Sequence, residues 1–147
     1  MLATGLEHTE SHMIIEIKET TNINRSDIIE IYEANHWSSA KKPEQLYNAL
    51  INSHSFITAW HYERLVGLGN ALSDGFLVVY YPHLIVHPDY HGKGIGKRIL
   101  EKFQEKYGDF HQQILVADGR AINFYEKCGF ERAGETKPMW IYQGKDH

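Results

Sequence analysis

Residues 84–97 read Leu84-Ile85-Val86-His87-Pro88-Asp89-Tyr90-His91-Gly92-Lys93-Gly94-Ile95-Gly96-Lys97. A β-branched run ends at Val86, a turn follows at Pro88–Gly92, and glycines at alternate positions 92, 94 and 96 lead into a helical periodicity from Gly94 to Tyr107. Ile95, Ile99, Leu100 and Phe103 share one side of that helix, with Lys97, Arg98, Glu101, Lys102 and Glu105 on the other. Missing β-carbons let backbone N–H groups approach an anion closely, and the positive end of the helix dipole stands behind them. Lys93, Lys97 and Arg98 add charge. The physical reading of the stretch is a diphosphate-binding loop; taken alone, the spacing slightly favours a glycine-rich turn that merely caps a helix.

Two familiar phosphate loops fail on spacing. A Walker A loop places four residues between its first glycine and a Gly-Lys pair, then Ser or Thr. Here three residues separate Gly92 from Gly96-Lys97, and Arg98 follows. A dinucleotide fingerprint is G-x-G-x-x-G directly after a first strand. Here the pattern is G-x-G-x-G, and five residues intervene after Val86.

Working outward, Met13–Lys18 reads as a first strand. Ser26 or Asp27 caps a helix whose apolar face is Ile28, Ile31, Tyr32 and Asn35. His36–Ala40 interrupts it, and Pro43 opens a second helix to Asn52 with Leu46, Tyr47 and Leu50 inward. Ser55–His61, Leu65–Ser73 and the apolar stretch Phe76–Val86 form an antiparallel meander, with Pro82 breaking the pairing of its third strand. Gln112–Ala117 is expected as a buried strand, and Asp118 or Gly119 starts a helix that stops at Gly129. Phe130–Gly134 and Met139–Tyr142 are expected as two final strands. The order β-α-α-β-β-β-α-β-α-β-β describes one mixed α/β domain over residues 13–143.

Composition narrows the class. At 147 residues the chain is the length of one domain, and 42% hydrophobic against 23% charged excludes a fibrous or disordered chain. The balance of 15 Lys+Arg against 19 Asp+Glu does not suit a nucleic-acid partner, and no apolar run approaches a membrane span. One cysteine, Cys128, fits a reducing, cytoplasmic location. The ten histidines are scattered, so no metal is expected. Met1–His12 is polar and non-periodic and reads as a frayed extension, with Met13 opening the natural protein.

The stretch Val86–Lys97 resembles the acyl-CoA signature of the GNAT N-acetyltransferase superfamily, Gln/Arg-x-x-Gly-x-Gly/Ala, from His91 to Gly96. His91 departs from the usual Gln or Arg at the first position. A second motif of that family is matched by Ala121-Ile122-Asn123-Phe124-Tyr125-Glu126-Lys127-Cys128-Gly129-Phe130. The resemblance covers Met13 to Tyr142. It implies an α/β single-domain GNAT fold: a mixed, mostly antiparallel sheet with a splayed central pair and flanking helices.

The resemblance also implies roles. Acetyl-CoA is the expected co-substrate, held between the strand ending at Val86 and Gln112–Ala117. The backbone of Leu84, Ile85 and Val86 would pair with its pantetheine arm, and the Val86 N–H would polarise the thioester carbonyl. The diphosphate would sit on N–H groups of His91, Gly92, Lys93, Gly94, Ile95, Gly96 and Lys97. Phe124 would pack by the cofactor, and Tyr125 would protonate the departing thiolate. Asp118 is a cofactor contact or the N-cap of its helix. Trp37 walls the acceptor pocket or packs a helix. His83 is the leading candidate for the base that neutralises the amine; Tyr80, a candidate substrate contact, is a rival, as are Tyr81 and Asp74. Cys128 is expected to be structural. The expected reaction is acetyl transfer to a primary amine of a small molecule, because the chain is compact and lacks a peptide-docking extension. The alternatives are protein N-terminal or lysine acetylation, or a non-catalytic acyl-CoA sensor. A homodimer is compatible with the fold.

Overall fold

The computed structural model describes residues 13–144. The extension read at residues 1–12 lies outside the described residues. The elements are β1 (Glu16–Glu19), α1 (Arg25–Ala34), a 3-10 turn (Ser38–Lys41), α2 (Pro43–Ile51), β2 (Ser55–His61), β3 (Arg64–Ser73), β4 (Val78–Tyr80), β5 (Leu84–Val86), a 3-10 turn (Pro88–Tyr90), α3 (Ile95–Tyr107), β6 (Gln112–Ile114) and α4 (Ile122–Lys127). The fold is the expected mixed α/β arrangement.

One sheet runs in the order β1-β2-β3-β4-β6, with β5 also paired to β3. All pairs are antiparallel except β4 with β6. Alternation along β2 sends Ile57 and Ala59 into a core against α3, and Phe56 into a second core against α1 and α2. On the first side Ile95, Ile99, Phe103 and Tyr107 of α3 are almost wholly buried. Gly69 lets that helix approach: a β-carbon there would lie 3.0 Å from Phe103 and 3.1 Å from Ile99. On the other side Ile28, Ile31 and Tyr32 of α1 cover Leu68 and Ile85.

The apolar stretch Phe76–Val86, expected as one strand interrupted near Pro82, is two strands. Gly69 pairs with Leu84 and Leu72 with Tyr80, so three residue steps on β3 face four on the other chain, a one-residue bulge. Pro82 has no N–H to give the ladder. Asn70 repairs the gap: its backbone N–H donates to the His83 carbonyl at 3.1 Å, and its side-chain oxygen accepts the His83 N–H at 3.0 Å. The bulge sends β4 on to pair with β6, while β5 pairs with β3 alone. The last bond across is Tyr81 N–H to the Ile114 carbonyl, 3.0 Å. Beyond it β5 and the chain after β6 separate, which is the expected splay.

Other expectations are corrected. The first strand is Glu16–Glu19 rather than Met13–Lys18, because its register is set by β2 from Trp60 back to Ile57. The strand expected over Gln112–Ala117 ends at Ile114 and is not buried. Ile114 is 42% and Val116 48% exposed, since β6 lies at the sheet edge with one face uncovered. Its helix begins at Ile122, not Asp118 or Gly119. The two final strands, Phe130–Gly134 and Met139–Tyr142, join no ladder among the described residues. Their strand-like composition sets local conformation, whereas a strand also needs an edge to pair with. No helix among the described residues is long and apolar enough to cross a membrane.

Candidate active site

Register decides what β5 offers to the splay. His83, Ile85 and His87 oppose Asn70, Leu68 and Val66, and the His83 carbonyl and His87 N–H both bond to β3. In an antiparallel ladder the bonded pairs alternate with unbonded ones. Leu84 and Val86 are therefore the unbonded residues, and their N–H and C=O groups point away from β3 toward the opening. Ile85 spends its polar backbone on Leu68.

The Val86 carbonyl is itself engaged. Asn35 donates its side-chain N–H to it at 3.0 Å, and His91 Nε2 lies 2.7 Å from the same oxygen. The His91 ring thus bonds back to the strand end. The Val86 N–H is left as the polar group of that residue facing the gap.

The glycine loop is built as its spacing indicates. Gly92 and Gly94 have φ of +76° and +79°, values that cost an L-residue roughly 1–2 kcal/mol. Gly94 is the N-cap of α3, and the first helical bond runs from Arg98 N–H to the Gly94 carbonyl, 3.1 Å. The N–H groups of Gly94, Ile95, Gly96 and Lys97 consequently have no intrahelical acceptor. Gly96 serves a different purpose: a β-carbon there would be 3.2 Å from Phe124 Cζ and 3.7 Å from Leu84 Cδ2. It is the point where α3, β5 and α4 converge. The preceding turn is fixed by Tyr90, buried and bonded through its hydroxyl to His61 Nδ1 at 2.8 Å.

The candidate side chains fall on the two faces of the sheet. Phe124 and Tyr125 pack with Leu84 and Val86 on the α3 side. The Tyr125 ring meets Phe124 edge-on at 5.1 Å and Phe130 at 5.8 Å. Burial, with smaller repulsions from Cys128 and Asp118, pushes its phenol up to about 12. Burial also raises the Cys128 thiol, which suits a packing residue rather than a nucleophile. Asp118 forms a turn ahead of α4: its carboxylate accepts the Arg120 N–H at 3.0 Å and its carbonyl the Ala121 N–H at 2.9 Å. Ala121, not Asp118, holds the N-cap position.

His83 points to the opposite face, toward α1. Its Nδ1 is 2.8 Å from the hydroxyl of wholly buried Tyr32, and its ring meets the edge of Trp37 at 5.2 Å. Burial holds the Tyr32 phenol well above its usual range, so that hydroxyl stays protonated. Trp37 also meets Tyr32 edge-on at 5.6 Å. Tyr80 shares this face, being opposite in alternation to buried Val79, and is 38% exposed. The other rivals are occupied elsewhere. Asp74 caps its hairpin by accepting the N–H groups of Leu77, Phe76 and Val78, which lowers its carboxyl. The Tyr81 hydroxyl bonds to Gln113 at 2.6 Å, and burial raises it. Among the described residues no three His, Cys, Asp or Glu side chains gather as a metal site.

Sequence reading did not single out Asn35 or Asn70 for this site, nor pair Tyr32 with His83. Asn35 and Asn70 hold the strand that lines the opening, and Tyr32 holds His83. Both asparagines carried a signal in the sequence, Asn35 on the apolar face of a helix and Asn70 within an apolar strand.

The family described as "Acetyltransferase (GNAT) domain" matches residues 52–132, more than half of the chain. An uncharacterized N-acetyltransferase, ycf52, from Gracilaria tenuistipitata var. liui is 27% identical over 138 residues, covering 88% of this chain and 74% of that protein. A GNAT-family acetyltransferase from Streptococcus pneumoniae TIGR4 superposes with a TM-score of 0.77 at 28% identity, covering 89% of this chain and all of that one. The fold also matches AAC(6')-Iy, solved with the bisubstrate analog CoA-S-monomethyl-acetylneamine, at TM-score 0.67 and 12% identity over 90% of this chain and 99% of that one. With two motifs, a bulged and splayed sheet and these relatives in agreement, the chain belongs to the GNAT superfamily of N-acetyltransferases.

Proposed function

We propose that the protein transfers acetyl from acetyl-CoA to the primary amine of a small molecule. The observation that carries this reading is the pair of β5 residues left unbonded to β3, Leu84 and Val86, which turn their backbone, with the Val86 N–H, toward an opening beside the N–H groups of the glycine loop. A strand-like arm ending in a diphosphate matches that combination. The AAC(6')-Iy neighbour, seen with a CoA-linked amine analog, supports it by analogy of fold.

Acetyl-CoA supplies an activated thioester; the chain does the rest. N–H groups of Gly94 to Lys97, with Lys93, Lys97 and Arg98, bind the diphosphate, the positive helix terminus reinforcing them. Val86 N–H donates to the carbonyl oxygen as it gains charge. His83 takes the proton that the amine must lose before its nitrogen can attack. For that role its Nδ1–H donates to the Tyr32 hydroxyl, which assigns the proton transfer to Nε2. The new C–N bond forms as the C–S bond breaks, and the Tyr125 phenol donates to the departing sulfur. Trp37 and Tyr80, on the His83 side, contact the acceptor. The proposal extends to a cytoplasmic location, supported by the unbridged Cys128.

The test is release of CoA thiol from acetyl-CoA over a panel of small amines, peptides with free N-termini and lysine peptides, alongside calorimetric titration with acetyl-CoA. Turnover with small amines is expected. Binding with turnover only on peptides moves the acceptor to protein. Binding with no turnover leaves a sensor, and no binding by the folded chain ends the reading.

A further inference from the structure

The two left-handed glycines of the loop are not held by packing. No atom of the described residues lies within 4 Å of where a β-carbon would stand at Gly92 or Gly94. Buried Ile95 anchors the far end of the loop in the core, so its near end is set by the chain from His87 to Tyr90. There the His87 N–H donates to the Val66 carbonyl at 2.8 Å, tying the backbone to β3, and the Tyr90 N–H closes the turn on the His87 carbonyl at 2.8 Å. Of the turn Pro88–Tyr90, Tyr90 alone is buried.

Tyr90 is gripped by the closed end of the β2–β3 hairpin, which supplies no group to the proposed reaction. His61 and Arg64 are partners in the last register pair of that hairpin and so share a face. His61 Nδ1 is 2.8 Å from the Tyr90 hydroxyl, and the Arg64 guanidinium stands 5.4 Å from the centre of the Tyr90 ring. One holds the ring at its edge and the other lies over its face as a cation–π contact. Arg64 Nη2 also approaches His87 Nε2 at 3.4 Å, but His87 Nδ1 accepts the Asp89 N–H at 3.1 Å. In the neutral ring the hydrogen then sits on Nε2 and faces a second donor, which makes no hydrogen bond. Arg64 is therefore directed by the face of Tyr90 and by Glu30 of α1, 3.7 Å away, rather than by His87.

We propose that His61 and Arg64 are positioning residues for the acyl donor: through Tyr90 they hold the near end of the glycine loop, so that its N–H groups meet the donor's diphosphate already aligned. This rests on the acetyl-CoA reading above. Without the clasp the turn keeps its backbone bonds, but the Tyr90 ring can shift and the cradle must be ordered as the ligand arrives, which lowers affinity. The chemical step is untouched, because Val86, His83 and Tyr125 are placed by other contacts, from Asn35, Tyr32 and Phe130. The clasp thus acts on the diphosphate end of the donor and not on its thioester end.

Calorimetric titration with CoA tests this on Tyr90→Phe, His61→Ala and the double variant. It is joined by kinetics, on the acceptor that the amine panel identifies, with acetyl-CoA and with S-acetylpantetheine, which keeps the thioester arm and lacks the diphosphate. Tyr90→Phe keeps the buried ring and His61 is half-buried, so far-ultraviolet dichroism is expected to be unchanged. Each single substitution is expected to weaken CoA binding and raise KM for acetyl-CoA by about three- to tenfold, the contribution of one hydrogen bond, with kcat unchanged. The double variant should lose no more than either single one, since both break the same bond. Arg64→Ala is expected to act in the same direction, and Arg64→Lys, which keeps a cation over the ring, to restore CoA affinity. Turnover of S-acetylpantetheine should not change in any of them. Unchanged CoA affinity in the folded variants, additive losses, a fall in kcat, or an equal loss with S-acetylpantetheine overturns the proposal. Absence of CoA binding by the wild type ends the acetyl-CoA reading itself, a result distinct from all of these.

Discussion

The side-chain amide of Asn35 donates to the carbonyl oxygen of Val86 at 3.0 Å, joining the end of α1 to the end of β5. The same nitrogen donates its other hydrogen to the Ile31 carbonyl at 2.9 Å, so both are used. This bond fixes the carbonyl side of Val86, the residue whose N–H faces the opening. Asn35→Ala removes two bonds and is expected to cost about 1–2 kcal/mol of stability, read by denaturant unfolding. Asn35→Asp is expected to be worse, because it aims a carboxylate at two carbonyl oxygens. Under the proposed reading both raise KM for acetyl-CoA. Equal stability of the Ala and Asp variants would show that the amide does not hold the strand.

The glycines of the loop are distinguishable by experiment. Gly94→Ala places an L-residue at φ +79° and is expected to cost roughly 1–2 kcal/mol through backbone strain, with open space around its side chain. Gly96→Ala has no such strain and acts by packing, since its β-carbon meets Phe124 at 3.2 Å. It is expected to weaken acetyl-CoA binding by displacing Phe124. Phe124→Leu should therefore restore binding in the Gly96→Ala background and leave the Gly94→Ala defect untouched. Calorimetric titration of the four variants reads this directly.

Much of this architecture was legible because it rests on local pattern. Alternation gave Ser55–His61 to the residue, Pro43 opened α2, and the glycines at 92 and 94 required the left-handed backbone that they adopt. The bulge was only half legible. Pro82 announced a break, but the division into two strands with different partners depends on Asn70, twelve residues away and in another strand. The face on which His83 lies followed from that bulge, so alternation from the sequence alone left it open. The end of the chain was misread for a related reason. Met139–Tyr142 has the composition of a strand, yet composition does not supply an edge to pair with, and among the described residues it joins no ladder.

His83 and Tyr32 make a second coupled pair. If His83 is the base, its removal should abolish the acidic limb of the pH–rate profile. His83→Ala that keeps the wild-type limb eliminates it. Tyr32→Phe probes the same assignment more gently. It removes the hydroxyl at 2.8 Å from Nδ1 and leaves the packing of a fully buried ring in place. The hydroxyl accepts from Nδ1–H in the working tautomer, so its loss should shift the midpoint of the acidic limb and lower kcat, at a stability cost of about 0.5–1.5 kcal/mol. An unmoved midpoint in Tyr32→Phe separates His83 from the ionisation that limits the rate.

Tyr125 is the most direct test of the chemistry. Its phenol, pushed up to about 12 by burial, stays protonated through the whole working range. It is then always able to donate, but a thiol near 8.5 is a stronger acid than this phenol by about 3.5 units, or roughly 5 kcal/mol for complete transfer. Its contribution therefore begins as a hydrogen bond that strengthens as sulfur gains charge. Tyr125→Phe is expected to lower kcat by on the order of 10²–10⁴-fold with little change in KM for acetyl-CoA. Because activity from this group is lost only as pH rises toward about 12, any alkaline limb at lower pH belongs to another group and should persist in Tyr125→Phe. Disappearance of such a limb, or an unchanged kcat, would remove Tyr125 from the proposed mechanism.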